Sequence, residues 1–329
     1  MTAVSDSAEG DAVAHPSPSN PPPPSPASPH ASVLPDETIR DLQLRPGDLA
    51  IDATLGAGGH AERILRAIAP GGCLIGLDVD PDALTLARAR LEPQAAALHV
   101  RLELAKSNFR HLAEPLRFIS PDRPPRAILA DLGVSSMQFD RPERGFSFRH
   151  DAPLDLRMDP ETPRTGADLL RELPEEELAD LLYRLGDEHG ARRIARAIVE
   201  NRRRGDPVRT TGQLEALVRR VLKVRGHARI HPATRTFQAL RMAVNRELEA
   251  LAEFLEIAPE LLAPSGTLAV IAFHSGEDRI VKQAFKRWAS TGRFLLVHKS
   301  VVRPGFEETR RNPRSRSAKL RALRKNDVG

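Results

Sequence analysis

Two acids and a glycine turn are the first residues in this chain whose types and spacing could do chemistry. Residues 49–60 read LAIDATLGAGGH: a short apolar run, an acid at Asp52, and glycines at 56, 58 and 59. The helical pattern AERILRAIA follows directly. Gly56, Gly58 and Gly59 let the backbone take positive φ and let a ligand approach the main chain, while a helix beginning there offers unpaired N–H groups. The string also fits the loose G-x-G-x-x-G/A fingerprint of nucleotide-binding turns. A second apolar run, CLIGLDVDP, ends in Asp78 about 20 residues further on, where an acid can meet a ribose diol.

The form Asp-x-x-x-Gly-x-Gly resembles the first motif of S-adenosylmethionine (SAM) methyltransferases, in which the acid and the turn flank the amino-acid end of the cofactor. This favours SAM over NAD as the ligand. A nicotinamide-dependent oxidoreductase using the same turn stays as an alternative, though no acid–base pair suited to hydride transfer stands out.

These residues need a scaffold that brings strand ends together, and the pattern supplies one. Strands are expected at 49–53, 73–78, 98–104 and 126–132, with helices near 61–68 and 81–91. Such alternation predicts an α/β fold with a mostly parallel sheet, helices on both faces, and ligands at the carboxyl ends of the strands. Asp52, Asp78, the Ser107-Asn108-Phe109 turn and Asp131 all fall at such ends. The sheet pattern resumes with TLAVIAF at 267–273, a helix through Lys282 and Trp288, FLLVHK near Phe294, and a last strand near 318–323.

Between these halves the rhythm changes. PEEELADLLYRLG has Pro174 suited to a first helical turn, Gly186 to a stop, and Leu178, Leu181, Leu182 and Leu185 on one face. Thr210 and Gln213 form a capping-box pair before the apolar face of Leu214, Leu217, Val218, Val221 and Leu222. The expected organisation is therefore residues 33–140 and 246–329 as one α/β domain, with 141–245 as a helical insertion. Residues 1–32, rich in Pro, Ser and Ala, are expected to be disordered; a transit peptide fits poorly, because acids but no Lys or Arg precede Arg40.

At 329 residues and 40% apolar content the chain can bury a sizeable core. Its single cysteine, Cys73, excludes an internal disulfide and reads as a core residue. No apolar run approaches the ~20 residues of a membrane span, and no signal segment is evident, so a cytoplasmic location is expected. The formal net charge is +5, and only seven of the 49 basic residues are lysine. His227 and His231 have an i, i+4 spacing, but without HExxH or a second thiol no metal is expected.

Several blocks together resemble the ribosomal RNA small subunit methyltransferase H (MraW) family: DATLGAGGH (52–60), GLDVDP (76–81), ADLGVSS (130–136), ERGFSFRHDAPLDLRMD (143–159), GARRIARAIVENR (190–202), HPATRTFQALRMAVNREL (231–248), FHSGEDRIVK (273–282) and NPRSRSAKLR (312–321). The resemblance implies a Rossmann-like class I SAM methyltransferase with an inserted all-helical domain, acting on N4 of a decoding-centre cytidine of 16S rRNA in the small ribosomal subunit. Carried over residue by residue, it implies cofactor contacts at Gly58, Gly59, His60, Asp78, Phe109, Asp131 and Gln138. Met137, Phe139, Leu156 and Gly276 depart from the family pattern; Gly276, at the start of a helix, is expected to lower stability rather than chemistry.

Methyl transfer to an exocyclic amine needs in-line positioning and an acceptor for the N–H that gains positive character during attack. Asp131 and His274 are the catalytic candidates. Asp131 is a cofactor contact by the resemblance and the best acceptor by position, with the cofactor role preferred, and His274 could instead be a neutral histidine bonded to nearby backbone. Ser275, Glu277 and Asp278 lie beside His274, while Ser135 and Ser136 form either a pocket wall or a simple polar turn. Phe146 and Phe148 could clamp a flipped base or pack in the core. RNA phosphates would be gripped by Arg192, Arg193, Arg196 and Arg202–Arg204, by Arg235 and Arg241, and by the basic stretch from Arg310 to Lys325. A non-catalytic rRNA-binding assembly factor is a further alternative. Oligomeric state is open, a homodimer included.

Overall fold

The computed structural model describes residues 32–223 and 231–327. The N-terminal tail expected to be disordered, apart from its last residue, and His227 lie outside the described residues. The first half of the chain runs α1 (Pro35–Leu42), β1 (Leu49–Asp52), α2 (Gly59–Ile68), β2 (Cys73–Asp78), α3 (Pro81–Ala97), β3 (Arg101–Lys106), α4 (Ala113–Ile119), β4 (Ala127–Asp131) and the single turn α5 (Ser136–Phe139). Five helices follow: α6 (Gly166–Glu172), α7 (Glu175–Gly186), α8 (Ala191–Arg203), α9 (Thr211–Leu222) and α10 (Thr234–Asn245). The chain then closes through α11 (Glu247–Leu261), β5 (Thr267–Ala272), α12 (Ser275–Ser290), β6 (Phe294–Leu296), α13 (Phe306–Arg311) and β7 (Lys319–Lys325).

The strands form one sheet in the order β3-β2-β1-β4-β5-β7-β6. β1 to β5 are mutually parallel and β7 runs antiparallel to both neighbours. The chain winds outward from β1 through β2 to β3, then returns to place β4 on the other side of β1. That reversal makes a crevice between the carboxyl ends of β1 and β4, where open α/β sheets bind ligands.

Both faces of the sheet are covered, so its central strands are almost continuously apolar. Leu49, Ile51, Ile128 and Val270 face a core shared with Phe254 of α11 and Phe285 of α12. The alternate residues Ala50, Leu129 and Ile271 face α2 and α3 through Ile64, Leu65, Ala87 and Leu91. This is the two-residue periodicity of a strand buried on both sides.

Among the described residues between β4 and β5 no strand pairs into the sheet, and α6 to α10 enclose a third apolar cluster that includes Leu178, Leu182, Ile194, Leu214, Val218 and Leu240. The Thr210–Gln213 pair forms a complete capping box at α9. Pro174 stands one position before α7 rather than in its first turn, and Gly186 is its last helical residue; the left-handed stop is Asp187, with φ 50°.

The expected strand at 98–104 instead begins at Arg101, because α3 continues through Pro93 to Ala97 and His99 turns the chain with positive φ.

Candidate active site

The glycine turn links β1 to α2. Gly56 and Gly58 have φ of 52° and 80°, in the left-handed region, and Gly58 is the residue that caps α2. A Cβ on Gly58 would lie 2.9 Å from the Leu91 side chain, so α3 packs against the turn as closely as glycine allows. The Gly56 N–H donates to Asp78 Oδ2 at 2.8 Å, and the Asp80 N–H donates to Asp78 Oδ1 at 2.9 Å. Asp78 thus ties the ends of β1 and β2 together. Burial drives its pKa up to about 6, against the opposing pull of those backbone donors.

At the crevice itself Asp52, His60 and Asp131 form a titratable cluster. Asp52 is 1% exposed, and burial, only partly offset by His60, raises its pKa to about 7. Burial favours the neutral ring of His60, yet the flanking Asp131 and Asp52 carboxylates outweigh it, and its pKa is raised. His60 Nε2 stands 3.5 Å from Asp131 Oδ2, at the outer limit of a hydrogen bond. The Asp131 N–H donates to Thr54 Oγ1 at 2.6 Å, which fixes the β4 end against β1. Both ring nitrogens of His60 and Asp131 Oδ1 are buried without a hydrogen-bond partner. Unpartnered buried polar atoms are rare and costly, and three of them converging at a topological switch point suit a ligand that brings both donors and acceptors. The amino-acid end of SAM, with an ammonium and a carboxylate, has that composition.

Gln138 occupies the third side. Its Oε1 accepts from the Ser135 N–H at 3.1 Å and its Nε2 donates to Asp80 Oδ2 at 2.9 Å, so it bridges the loop after β4 to the acidic turn after β2. Asp80 is completely buried and also pairs with Arg144 at 3.1 Å. Arg144 donates in addition to the carbonyls of Arg157 and Met158. Neither Asp80 nor Arg144 stood out in the sequence, although Asp80 lies in the same DVDP string as Asp78. Phe109 opens a 3-10 turn directly after β3 and rests edge-on against Phe254, with centroids 5.3 Å apart.

His274 follows β5 and lies outside this cluster. Its Nδ1 accepts from the Glu277 N–H at 3.3 Å, completing a capping box on α12, and its Nε2 stands 2.9 Å from Glu277 Oε1. Burial opposes the Glu277 charge, but His274 and Arg241 outweigh it and hold the Glu277 pKa below the ordinary carboxylate range. The cap thus occupies Nδ1, whereas Nε2, although close to Glu277 Oε1, is buried without a hydrogen-bond partner. A Cβ on Gly276 would lie 3.2 Å from two ring atoms of His274, a tight contact that a small shift of the ring could relieve.

Several other sequence candidates have structural partners. Phe146 is buried, and Phe148 stacks on His231 with centroids 4.5 Å apart and meets Phe237 edge-on. Arg241 makes a two-bond pair with Glu247, and Arg202 donates to three carbonyls at the end of α6. These two arginines hold the fold together instead of facing outward. Arg192 and Arg193 remain exposed on α8.

Comparison with known proteins decides between the ligands the turn could take. The sequence profile of the MraW methylase family matches residues 27–326. The chain belongs to the MraW methylase family. It is similar to a ribosomal RNA small subunit methyltransferase H from Syntrophobacter fumaroxidans, with 46% identity over 93% of this chain and 99% of that one. Proteins of the same name from Acidobacterium capsulatum (46% identity, 90% of this chain and 98% of that one) and a Cyanothece species (48%, 91% and 95%) are alike. This MraW methylase is a methyltransferase whose cofactor is SAM, and the oxidoreductase alternative falls. Among the described residues no helix is long and apolar enough to cross a membrane.

Proposed function

We propose that the chain transfers a methyl group from SAM to N4 of a decoding-centre cytidine in 16S rRNA of the small ribosomal subunit. The relatives' shared name supports the rRNA class of substrate. The observation that carries the site assignment is the buried, unpartnered Asp131 Oδ1 beside His60 at the β1–β4 crevice.

Gly58, Gly59 and His60 line the amino-acid end of the cofactor site, Asp78 takes the ribose hydroxyls, and Phe109 and Gln138 complete the walls. When bound, SAM supplies an electrophilic methyl on a sulfonium, so the leaving group needs little assistance. The protein's task is to hold the amine in line and to accept its N–H as nitrogen gains positive character. Asp131 is the acceptor, its backbone fixed by Thr54 and its carboxylate beside the His60 ring. His274 is a positioning residue that sets the start of α12. Residues 33–140 and 246–329 form the methyltransferase domain, and 141–245 a helical insertion that contacts rRNA.

The test is incubation of the protein with radiolabelled SAM and small subunits lacking the modification, followed by nucleoside analysis. Label in N4-methylcytidine, abolished in Asp78→Ala, is the expected result. SAM binding without label in any subunit form would sink the reading and favour a non-catalytic assembly role.

A further inference from the structure

We propose that a lysine-lined recess between α12 and the β6–β7 edge of the sheet binds backbone phosphates of the RNA substrate. This second contact lies apart from the methyl-transfer crevice, and it rests on the rRNA reading above. Lys282, Lys286 and Lys299 line the recess together with Ser300, Arg321 and His298. Three of the chain's seven lysines therefore meet at one place, in a protein that otherwise uses arginine for almost all its positive charge.

The ionic partners divide these groups. Arg321 is held by Asp278 at 2.8 Å and His298 by Asp41 at 2.7 Å. The three lysines are exposed and, among the described residues, none has an ion pair or hydrogen bond. No carboxylate lines the recess. Like charges gathered around a concavity repel one another and focus a positive potential into it, and an anion relieves the repulsion. Lysine suits this use, because a compact ammonium on a flexible stem can meet a phosphate oxygen from several directions. Arg202 and Arg241 of the sequence-level RNA candidates are spent on internal partners, whereas these lysines are free to meet a ligand.

Position supports RNA over a free anion. α12 starts at Ser275, at the carboxyl end of β5, so its first turn is next to the crevice. Lys282 and Lys286 share one helix face, about 10 and 16 Å along the axis from that start. A strand leaving the crevice along α12 would lay its phosphates on them within a few nucleotides.

The test uses the intact chain, an RNA fragment carrying the decoding-centre cytidine, and a salt titration of its affinity. Lys282→Ala/Lys286→Ala/Lys299→Ala is compared with the corresponding triple arginine variant. The alanine variant is expected to bind about tenfold more weakly at moderate salt, with a log–log salt slope shallower by about 1 to 2. The arginine variant keeps wild-type binding, and both keep wild-type SAM affinity and Tm. An alanine variant with unchanged affinity and slope overturns the recess. So does a wild-type chain whose Tm rises with inorganic phosphate while the alanine substitutions leave RNA affinity intact, since the recess would then hold free phosphate. Failure of the wild-type chain to bind RNA at all would remove the rRNA reading itself, and the recess assignment with it.

Discussion

The Asp78 carboxylate accepts the Gly56 N–H at 2.8 Å, so the acid read as a ribose partner also holds the glycine turn in shape. Binding and local stability are therefore coupled at one side chain. Asp78→Asn keeps the volume but puts an amide NH2 where one of two backbone donors points. SAM affinity should fall at least tenfold, and the unfolding free energy should drop by about 1–3 kcal/mol. Calorimetric titration with SAM and denaturant unfolding check the two halves separately. Lost affinity at unchanged stability would show that the Gly56 contact contributes little.

The crevice predicts a pH dependence whose sign is set. Asp52 and Asp78 have folded pKa values of about 7 and about 6, above an ordinary value of 3.8. The folded protein then holds protons that the unfolded chain releases near pH 4, so their contribution to stability declines as pH rises from about 4 to about 7. His60, with a pKa raised above 6.5, acts in the same direction: its contribution is full below 6.5 and is lost as pH passes through its folded value. A ligand bearing ammonium and sulfonium groups favours the ionised acids, so SAM should bind more tightly at pH 7.5 than at 5.5. Tm measured across this range with and without SAM reads both effects. Asp52→Asn should flatten the ligand-free curve, and an unchanged slope would rule out Asp52 as its source.

How much of this was legible before the fold depended on whether a residue's partner was nearby in sequence. Strand-end acids, glycine turns and the Thr210–Gln213 box report local geometry, and their positions follow from periodicity and turn chemistry. Arg241 and Arg202 read equally well as phosphate ligands until their partners are seen, because Glu247 and the α6 carbonyls reach them only through helix packing. Arg144 and Asp80 were missed for the same reason: their meeting spans 64 positions and needs the loop after β4 to fold back over β2. Gly276 reads as a loosened helix start, and only the fold shows that a Cβ there would come within 3.2 Å of the His274 ring.

Kinetics separate the two roles of Asp131. Asp131→Asn preserves the backbone bond to Thr54 and the side-chain shape while removing the negative charge beside His60. As the amine acceptor, Asp131 should be worth about 100-fold or more in kcat at saturating SAM. If it serves only the cofactor, KM for SAM rises and kcat holds. Single-turnover methylation at saturating SAM distinguishes the outcomes.

His274 is expected to give the opposite pattern. Its ring caps α12 and faces the buried Glu277 carboxylate, so His274→Ala removes a cap and leaves that charge with one fewer partner. The loss should be about 1–3 kcal/mol of stability, with kcat per folded molecule within a few-fold of wild type. A kcat loss of 100-fold in a variant with unchanged Tm would place the imidazole in the chemistry instead.

Arg144 carries the largest expected stability effect. It pairs with the fully buried Asp80 and donates to the Arg157 and Met158 carbonyls, while its own carbonyl accepts the Leu156 N–H at 3.1 Å. Leu156 is 1% exposed and has a φ of 66°, a left-handed conformation that a leucine adopts only under constraint. Asn245, at the end of α10, secures the same stretch by donating to the Leu156 carbonyl and accepting the Met158 N–H. Arg144→Ala removes the counter-charge of Asp80 and one of the side chains holding this turn, so stability should fall by about 3–5 kcal/mol. Among the described residues Gln138 would remain the one side-chain donor to Asp80, and SAM affinity should weaken through the displaced Gln138 amide. The double variant Arg144→Ala/Asp80→Asn, which removes the buried charge along with its partner, should recover part of the stability measured by denaturant unfolding. Equal stability of the single and double variants would mean that the penalty comes from the freed turn at Leu156 and not from the uncompensated carboxylate.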